Sequence, residues 1–316
     1  MPRRARRPDA KSLLDRLAAA ELIVVTGKGG VGKSAVAGAL ARLASRRDRR
    51  VLLLETDPRE SLHQYLAVPP SGGEILAVAP GLHLQNLHPG AVLDELVREQ
   101  LRLDALSRRV LASPVYRHFA DAAPGLKEIA VLGHAFRLVR GLARRGAPRV
   151  DLVVLDAPAT GHGVSLLAAP SLAAEVIRGG PFGRMAAELS RFVADRESCA
   201  IVTVALAEEM PVEEALDLQR MLRERLHRQA DLLVVNGLLP PLDGADGRSD
   251  PEDPLVALYR RRRELAAQQL VRLRRGWRGP SVDLALLPLD RGPELLDAIS
   301  DSLAARLDRP IAPEPA

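Results

Sequence analysis

Short apolar runs rich in valine, leucine and isoleucine alternate along the chain with longer segments in which apolar residues recur at helical spacing. Strand-length runs separated by helix-length segments predict βαβ units, in which crossover helices connect parallel strands. We therefore expect an α/β fold with a doubly wound, mostly parallel sheet. The predicted strands are Leu22–Thr26, Val51–Glu55, Leu82–Leu87, Asp151–Asp156, Ala200–Leu206, Leu232–Asn236 and Val282–Leu287.

Helical periodicity fills the segments between these strands. It predicts helices near Lys33–Arg46, Val92–Val110, Leu126–Arg144, Ser171–Ala194, Val212–Arg228, Pro254–Arg274 and Pro293–Leu307. Residues 89–148 are more than a simple crossover needs, so we expect a helical insertion there, within a single domain of residues 1–316. The proline-rich end, residues 309–316, is expected to be a disordered tail.

Composition limits the class of protein. The chain is 47% hydrophobic but only 3% aromatic, so its core must consist of Leu, Val, Ala and Ile. Its apolar runs fall short of the roughly 20 residues of a membrane-spanning helix, and its basic N-terminus lacks the apolar region of a secretory signal. We therefore expect a cytoplasmic location. The single cysteine, Cys199, excludes a disulfide framework and a cysteine zinc site within one chain.

The net charge of +5 permits an anionic partner. Only four of the 45 basic residues are lysines, and the arginines are spread along the chain among 40 acids. Because such scattered charge is typical of an ordinary solvated surface, nucleic-acid binding is not expected from charge alone.

A glycine-rich loop directly follows the first predicted strand and opens a helix of small residues. It fits the pattern G-x-x-x-x-G-K followed by Ser or Thr, which cradles nucleotide phosphates on backbone N–H groups and a helix N-terminus. In this pattern Lys33 bridges the β- and γ-phosphates, and the hydroxyl of Ser34 binds Mg²⁺. The residues of the loop are Gly27, Lys28, Gly29, Gly30, Val31, Gly32, Lys33 and Ser34.

Lys28 is a second lysine within this loop, in a chain that otherwise uses arginine almost everywhere. A compact point charge is therefore required at the position, where a planar guanidinium would not fit. A lysine directly after the first glycine is the deviant Walker signature, in which the side chain reaches the nucleotide of a partner subunit. The alternative is a solvent-exposed charge without a special role.

Two aspartates follow predicted strands and complete the candidate magnesium set with Ser34. Asp156 ends an apolar strand, as a Walker B acid does, and Asp57 lies just past the second strand. We expect both strands to neighbour the strand before the glycine-rich loop, which places both carboxylates at the edge of the sheet where ligands bind. Asp57 is the candidate for polarising the attacking water. For either residue the alternative is a capping or turn-forming aspartate.

The loop, together with Thr56–Pro58, Pro124–Glu128 and the Asp-Ala-Pro-Ala-Thr-Gly-His stretch at 156–162, resembles the arsenite-pump ATPase family. That family also includes the ATPases that guide tail-anchored proteins to membranes. The resemblance runs from about Leu22 to Leu307 and implies a P-loop NTPase fold with ATP as substrate.

The resemblance also implies roles for individual residues. Lys28 corresponds to the intermonomer lysine, Asp57 to the acid of switch I, and residues 156–162 to switch II. Asn236 corresponds to the side chain that reads adenine, with Pro288 and Leu289 lining the adenine pocket. An Asn amide offers the paired donor and acceptor that the adenine edge requires, although an asparagine before Gly237 could also simply form a turn.

Three other residues are not expected to take part directly in the chemistry. The chain also departs from the family pattern. His162 is expected to be a switch residue, and Trp277 to pack at a helix end. Cys199 alone cannot supply a metalloid site or the paired cysteines of a zinc-clipped dimer, so no zinc is expected. Switch I has Arg59 and Glu60 where the family usually has Ala-His, which predicts slow or differently coupled hydrolysis.

The sequence therefore predicts an ATP-hydrolysing switch that works as a nucleotide-gated dimer, either a homodimer or a heterodimer with a paralogue. It would control a protein partner, a membrane protein or an apolar client. One alternative is a partition-type or Min-type ATPase that positions cargo on DNA or membrane. Another is a weakly active subunit of a heterodimeric ATPase pair.

Overall fold

The part of the chain that the structure describes is built around one eight-stranded sheet. The computed structural model describes residues 12–101, 104–114, 116, 118, 125–143, 146–158, 163–177, 179–242 and 253–308. The strands are β1 (Leu22–Thr26), β2 (Val51–Glu55), β3 (Leu76–Ala79), β4 (Leu82–Asn86), β5 (Leu152–Asp156), β6 (Cys199–Leu206), β7 (Leu232–Leu238) and β8 (Ser281–Ala285).

The strand order is β3-β4-β2-β5-β1-β6-β7-β8, and every neighbouring pair is parallel except β3 with β4. Strands β2 to β5 lie on one side of β1 and strands β6 to β8 lie on the other, so the predicted doubly wound, mostly parallel sheet is confirmed. One expected adjacency is wrong. Of the two strands that end near Asp57 and Asp156, β5 neighbours β1 and β2 does not, because β5 lies between β1 and β2.

Helices cover both faces of the sheet. They are α1 (Leu13–Ala19), α2 (Lys33–Ser45), α3 (Leu62–Leu66), α4 (Pro89–Leu101), α5 (Asp104–Ala112), α6 (Leu126–Val139), α7 (Gly163–Val176), α8 (Gly180–Ala194), α9 (Glu209–Leu226), α10 (Pro254–Gly276) and α11 (Pro293–Leu307). None of the helices in the described ranges is both long and apolar enough to cross a membrane.

Two predicted helices are each divided in the structure. The expected helix Val92–Val110 is the pair α4 and α5, and Ser171–Ala194 is replaced by α7 and α8. The second division falls at Gly179 and Gly180, where Gly180 takes a positive φ of 70° that breaks the helix. Within residues 89–148, the helices that the structure describes are α4 to α6. That these residues form an insertion in a single domain stays a prediction, and the proposed tail lies outside the described residues.

The sheet is buried on both faces, as its parallel strands require. Every residue of β1, β2 and β5 is buried. On one face α2 and α11 pack closely, and Ser300 of α11 donates its hydroxyl to the Ala39 carbonyl at 2.9 Å. The other face is covered by α6, α7 and α9, whose buried residues form one apolar cluster with the sheet. This burial fixes the carboxyl ends of the central strands, where the candidate site lies.

Candidate functional site

The glycine-rich loop occupies the turn from β1 into α2, and its shape requires glycine at defined positions. Gly27, Gly30 and Gly32 have positive φ values of 147°, 83° and 90°. A Cβ atom on Gly27 would lie 2.2 Å from the Val204 carbonyl oxygen, and one on Gly32 would lie 2.3 Å from Nδ2 of Asn236. The loop can therefore approach the neighbouring strands closely only because these residues have no side chain.

Lys33, the first residue of α2, is buried beneath the loop. Its Nζ donates to the Lys28 carbonyl oxygen at 2.9 Å. Burial lowers the pKa of Lys33, against the opposing attraction of the Asp156, Asp57 and Glu214 carboxylates. Because a buried ammonium is costly without anionic neighbours, this arrangement favours the arrival of a negatively charged group such as a phosphate.

Ser34 and Asp156 meet directly at the end of β5. The Ser34 hydroxyl donates to Oδ2 of Asp156 at 2.6 Å. Oδ1 of Asp156 is buried and accepts no hydrogen bond among the described residues. Burial raises the pKa of Asp156 to about 7, with smaller opposing contributions from Ser34 and Lys33. A hydroxyl beside a carboxylate with a vacant buried oxygen is a set of hard donors that suits Mg²⁺, which would also favour the ionised carboxylate.

Asp57 lies in the loop after β2, and both its backbone and its side chain are held. Its carbonyl oxygen accepts from Nδ2 of Asn86 at 2.6 Å, and its Oδ1 accepts from the Arg59 backbone N–H at 2.9 Å. The second contact is the turn-forming one that the sequence left open as an alternative. The carboxylate is 44% exposed, so the turn contact leaves it accessible to a ligand.

Lys28 extends from the loop toward α9, where its Nζ lies 3.2 Å from Oε1 of Glu214. The lysine was identified from the sequence and the glutamate was not. Glu214 belongs to an acid-rich first part of α9, but no motif links that acidic stretch to the loop. The partner of Lys28 in this single chain is therefore a residue that only the fold brings near it.

Asn236 lies against the glycine-rich loop and forms part of the wall of a cavity of about 610 Å³. Its Nδ2 donates to the Val31 carbonyl oxygen at 3.0 Å. The cavity opens beside Gly30 and Gly32, and α10 contributes wall residues that sequence reasoning missed. Leu286 also lines it, whereas Pro288 and Leu289 are not among its lining residues. The α10 residues are Arg262, Leu265, Ala266 and Gln269.

The remaining predicted residues are placed as follows. Asp156 to Pro158 of the expected switch II are described, while Pro124 and residues 159–162, including His162, lie outside the described residues. Trp277 is 7% exposed at the end of α10, which confirms its packing role. Cys199 is buried at the start of β6, and burial raises the pKa of its thiol to about 12.

The comparisons with known proteins agree on one family. The anion-transporting ATPase family model matches residues 20–179. ATPase BagA of Mycobacterium tuberculosis is 30% identical over 207 residues, which are 64% of this chain and 61% of that protein. An arsenical pump-driving ATPase of Escherichia coli is 28% identical over 284 residues, which are 84% of this chain and 45% of the Escherichia coli protein.

An ATPase ASNA1 homolog of Leishmania infantum is 30% identical over 183 residues, which are 48% of this chain and 43% of that protein. The chain thus spans less than two thirds of the length of each of these relatives. The family match covers half of the chain and includes the glycine-rich loop, Asp57 and Asp156. The chain belongs to the anion-transporting ATPase family.

Proposed function

We propose that this protein binds Mg-ATP at the carboxyl edge of its sheet and hydrolyses it, as a switch that works through a nucleotide-gated dimer. The observation that carries the proposal is the convergence of Lys33, Ser34 and Asp156. A buried ammonium, a hydroxyl and a carboxylate with an unused oxygen lie at the N-terminus of α2. This combination suits phosphates together with a divalent cation.

Each group has a separate task in the proposed reaction. The loop N–H groups and Lys33 bind the β- and γ-phosphates, and Asn236 together with the cavity of about 610 Å³ receives the base. Mg²⁺, held through Ser34, Asp156 and Asp57, would supply charge neutralisation at the phosphates. Asp57, fixed through its backbone by Asn86, orients the attacking water with its accessible carboxylate. Positioning and electrostatics are the main contributions that a protein makes to phosphoryl transfer.

The dimer and its client form the second part of the proposal. Lys28 supports a cross-subunit role because a lysine stands at this position in an arginine-dominated chain and its side chain lies at the loop surface. The partner is a second copy or a paralogue, and the client is a protein. An arsenical substrate, which the name of the Escherichia coli relative suggests, receives no support from Cys199, because a buried thiol with a raised pKa is a poor thiolate ligand.

The experiment that tests the proposal is nucleotide titration of a Lys33→Ala variant. Removing the buried ammonium from the phosphates should lower the affinity for Mg-ATP by about a hundredfold or more. Lys127→Ala, a matched lysine on α6, should bind as the parent does. Calorimetric affinity that Lys33→Ala leaves unchanged would remove the assignment of the loop as the phosphate site.

A further inference from the structure

The helix α10 carries a concentration of positive charge. Its 23 residues include seven arginines and a single acid, Glu264, whereas the net charge of the whole chain is only +5. The expectation that the arginines are merely scattered is therefore wrong for this element. The seven are Arg260, Arg261, Arg262, Arg263, Arg272, Arg274 and Arg275.

Most of α10 faces solvent along its length of about 34 Å. Leu273 is its only buried residue. At about 100° per residue, Arg261, Arg272 and Arg275 fall within an arc of about 60° on the exposed side. Leu258 and Val271 flank this arc and are 57% and 50% exposed. The outward face of α10 thus mixes guanidinium groups with large apolar side chains.

The arginines of α10 make few strong contacts within the described part of the protein. Three of the arginines form ion pairs. Arg261 pairs with Glu264 at 3.4 Å and Arg272 with Glu213 at 2.6 Å. Arg274 pairs with Asp283 at 2.6 Å. All three pairs are substantially exposed, and such pairs contribute little to stability. Arg260, Arg262, Arg263 and Arg275 have no ion-pair partner in the part of the chain that the structure describes. Apart from Arg262, which lines the cavity beside the glycine-rich loop, the arginines are therefore available to an external anionic partner.

The combination of charges and leucines selects the kind of partner. Guanidinium groups pair bidentately with phosphates, whether in lipids or in nucleic acids. Exposed leucines gain free energy at the boundary between lipid headgroups and acyl chains, whereas a nucleic-acid backbone offers them no apolar partner. The aromatic residues of this region are not free to stack on bases, because the Tyr259 hydroxyl donates to the Pro240 carbonyl oxygen at 2.7 Å and Trp277 is buried.

We propose that α10 is a membrane-surface element that binds the face of an anionic lipid bilayer. The arginines of the outward face pair with lipid phosphates, and Leu258 and Val271 enter the acyl boundary. A long, exposed helix can lie along a flat surface, and clusters of four to eight basic residues on such a helix are typical of binding to anionic lipids. The proposal does not depend on ATP hydrolysis.

Vesicle flotation of the full chain tests this proposal. The parent protein should float with vesicles of phosphatidylcholine and phosphatidylglycerol, should remain behind with phosphatidylcholine alone, and should be released by salt. Arg261→Gln, Arg272→Gln and Arg275→Gln combined should lower the affinity about a hundredfold, since each basic residue near an anionic surface contributes about a fivefold factor in affinity and the three factors multiply. The matched control replaces Arg220, Arg223 and Arg225, three exposed arginines of α9, with Gln and should float as the parent does.

Two measurements separate lipid binding from its alternatives. Thermal unfolding of the triple variant should stay within a few degrees of the parent, because the three positions are exposed. Leu258→Gln should also weaken flotation while keeping every arginine in place. Flotation of the triple variant equal to that of the parent would overturn the proposal. So would retention on duplex DNA that matches the vesicle affinity and is insensitive to Leu258→Gln.

Discussion

At the scale of single residues, the loop that carries Asp57 is fixed from two neighbouring strands. Glu55 at the end of β2 accepts from the Ser61 backbone N–H at 2.8 Å and from its hydroxyl at 2.7 Å. Asn86 at the end of β4 donates to the Asp57 carbonyl oxygen at 2.6 Å. Both anchoring side chains are buried. The backbone of Asp57 is thereby positioned while its carboxylate keeps access to the nucleotide edge.

This arrangement predicts that Asp57→Asn binds Mg-ATP as the parent does and hydrolyses it poorly. The amide keeps the turn geometry but cannot accept a proton from water, so kcat should fall by a factor of roughly 10²–10⁴. Phosphate release under saturating Mg-ATP measures the effect, and Asp290→Asn, another exposed aspartate, is the control. Turnover within a few-fold of the parent would reduce Asp57 to a turn residue.

The site residues that can be predicted from the sequence are those that belong to a contiguous motif. The glycine-rich loop and Asp156 are recognisable because one turn and one strand end determine their positions. Glu214 and Asn86 belong to no such motif, and they meet Lys28 and Asp57 only through the packing of separate elements. Side-chain pairs of this kind cannot be predicted from spacing, since the same residue types occur at many exposed positions.

At the scale of elements, the same contrast appears in the fold. The central strands were predicted almost residue by residue, because continuous apolar runs between turns leave little freedom. The edge strand β3 was missed, since its burial alternates and it is only four residues long. The short helix α1 was also missed, although Ser12 and Asp15 form a reciprocal cap at its start.

The contact between α6 and β4 makes a testable prediction about pH. Nε2 of His134 on α6 lies 2.9 Å from Oε1 of Gln85 on β4, and burial lowers the pKa of His134 to about 4. The unfolded chain binds a proton on this histidine near pH 6.5, and the folded chain does not. The stabilising effect of the neutral ring is therefore complete above pH 6.5 and is lost as pH falls toward 4.

The expected loss is about 3 kcal/mol of unfolding free energy between pH 6.5 and pH 4, from a pKa lowered to about 4. His134→Gln keeps a hydrogen-bonding side chain but cannot titrate, so its denaturant midpoint should fall less over this range. His118→Gln, at an exposed position, should follow the parent curve. Parallel curves for the parent and His134→Gln would show that this contact does not set the acid sensitivity.

At the scale of the whole molecule, the contact between Lys28 and Glu214 bears on the proposed dimer. Within one chain the glutamate holds the lysine at 3.2 Å, and the two side chains are 31% and 44% exposed. A pair so exposed stabilises by no more than about 1 kcal/mol. The phosphates of a nucleotide across an interface could therefore replace it. Release of Lys28 from its own α9 would then accompany closure of the dimer.

Two substitutions test this coupling through ATP-dependent association, measured by light scattering with a non-hydrolysable analogue. Lys28→Ala should keep nucleotide binding by the single chain and lose association, because the cross-subunit cation is gone. Glu214→Gln should strengthen association by up to about fivefold, since the competing pair no longer has to break. Glu213→Gln, the neighbouring exposed acid that pairs with Arg272 instead, should leave association unchanged. Normal association of Lys28→Ala would show that Lys28 serves its own chain, and equal effects of the two glutamate substitutions would mean that general charge, not release of Lys28, controls assembly.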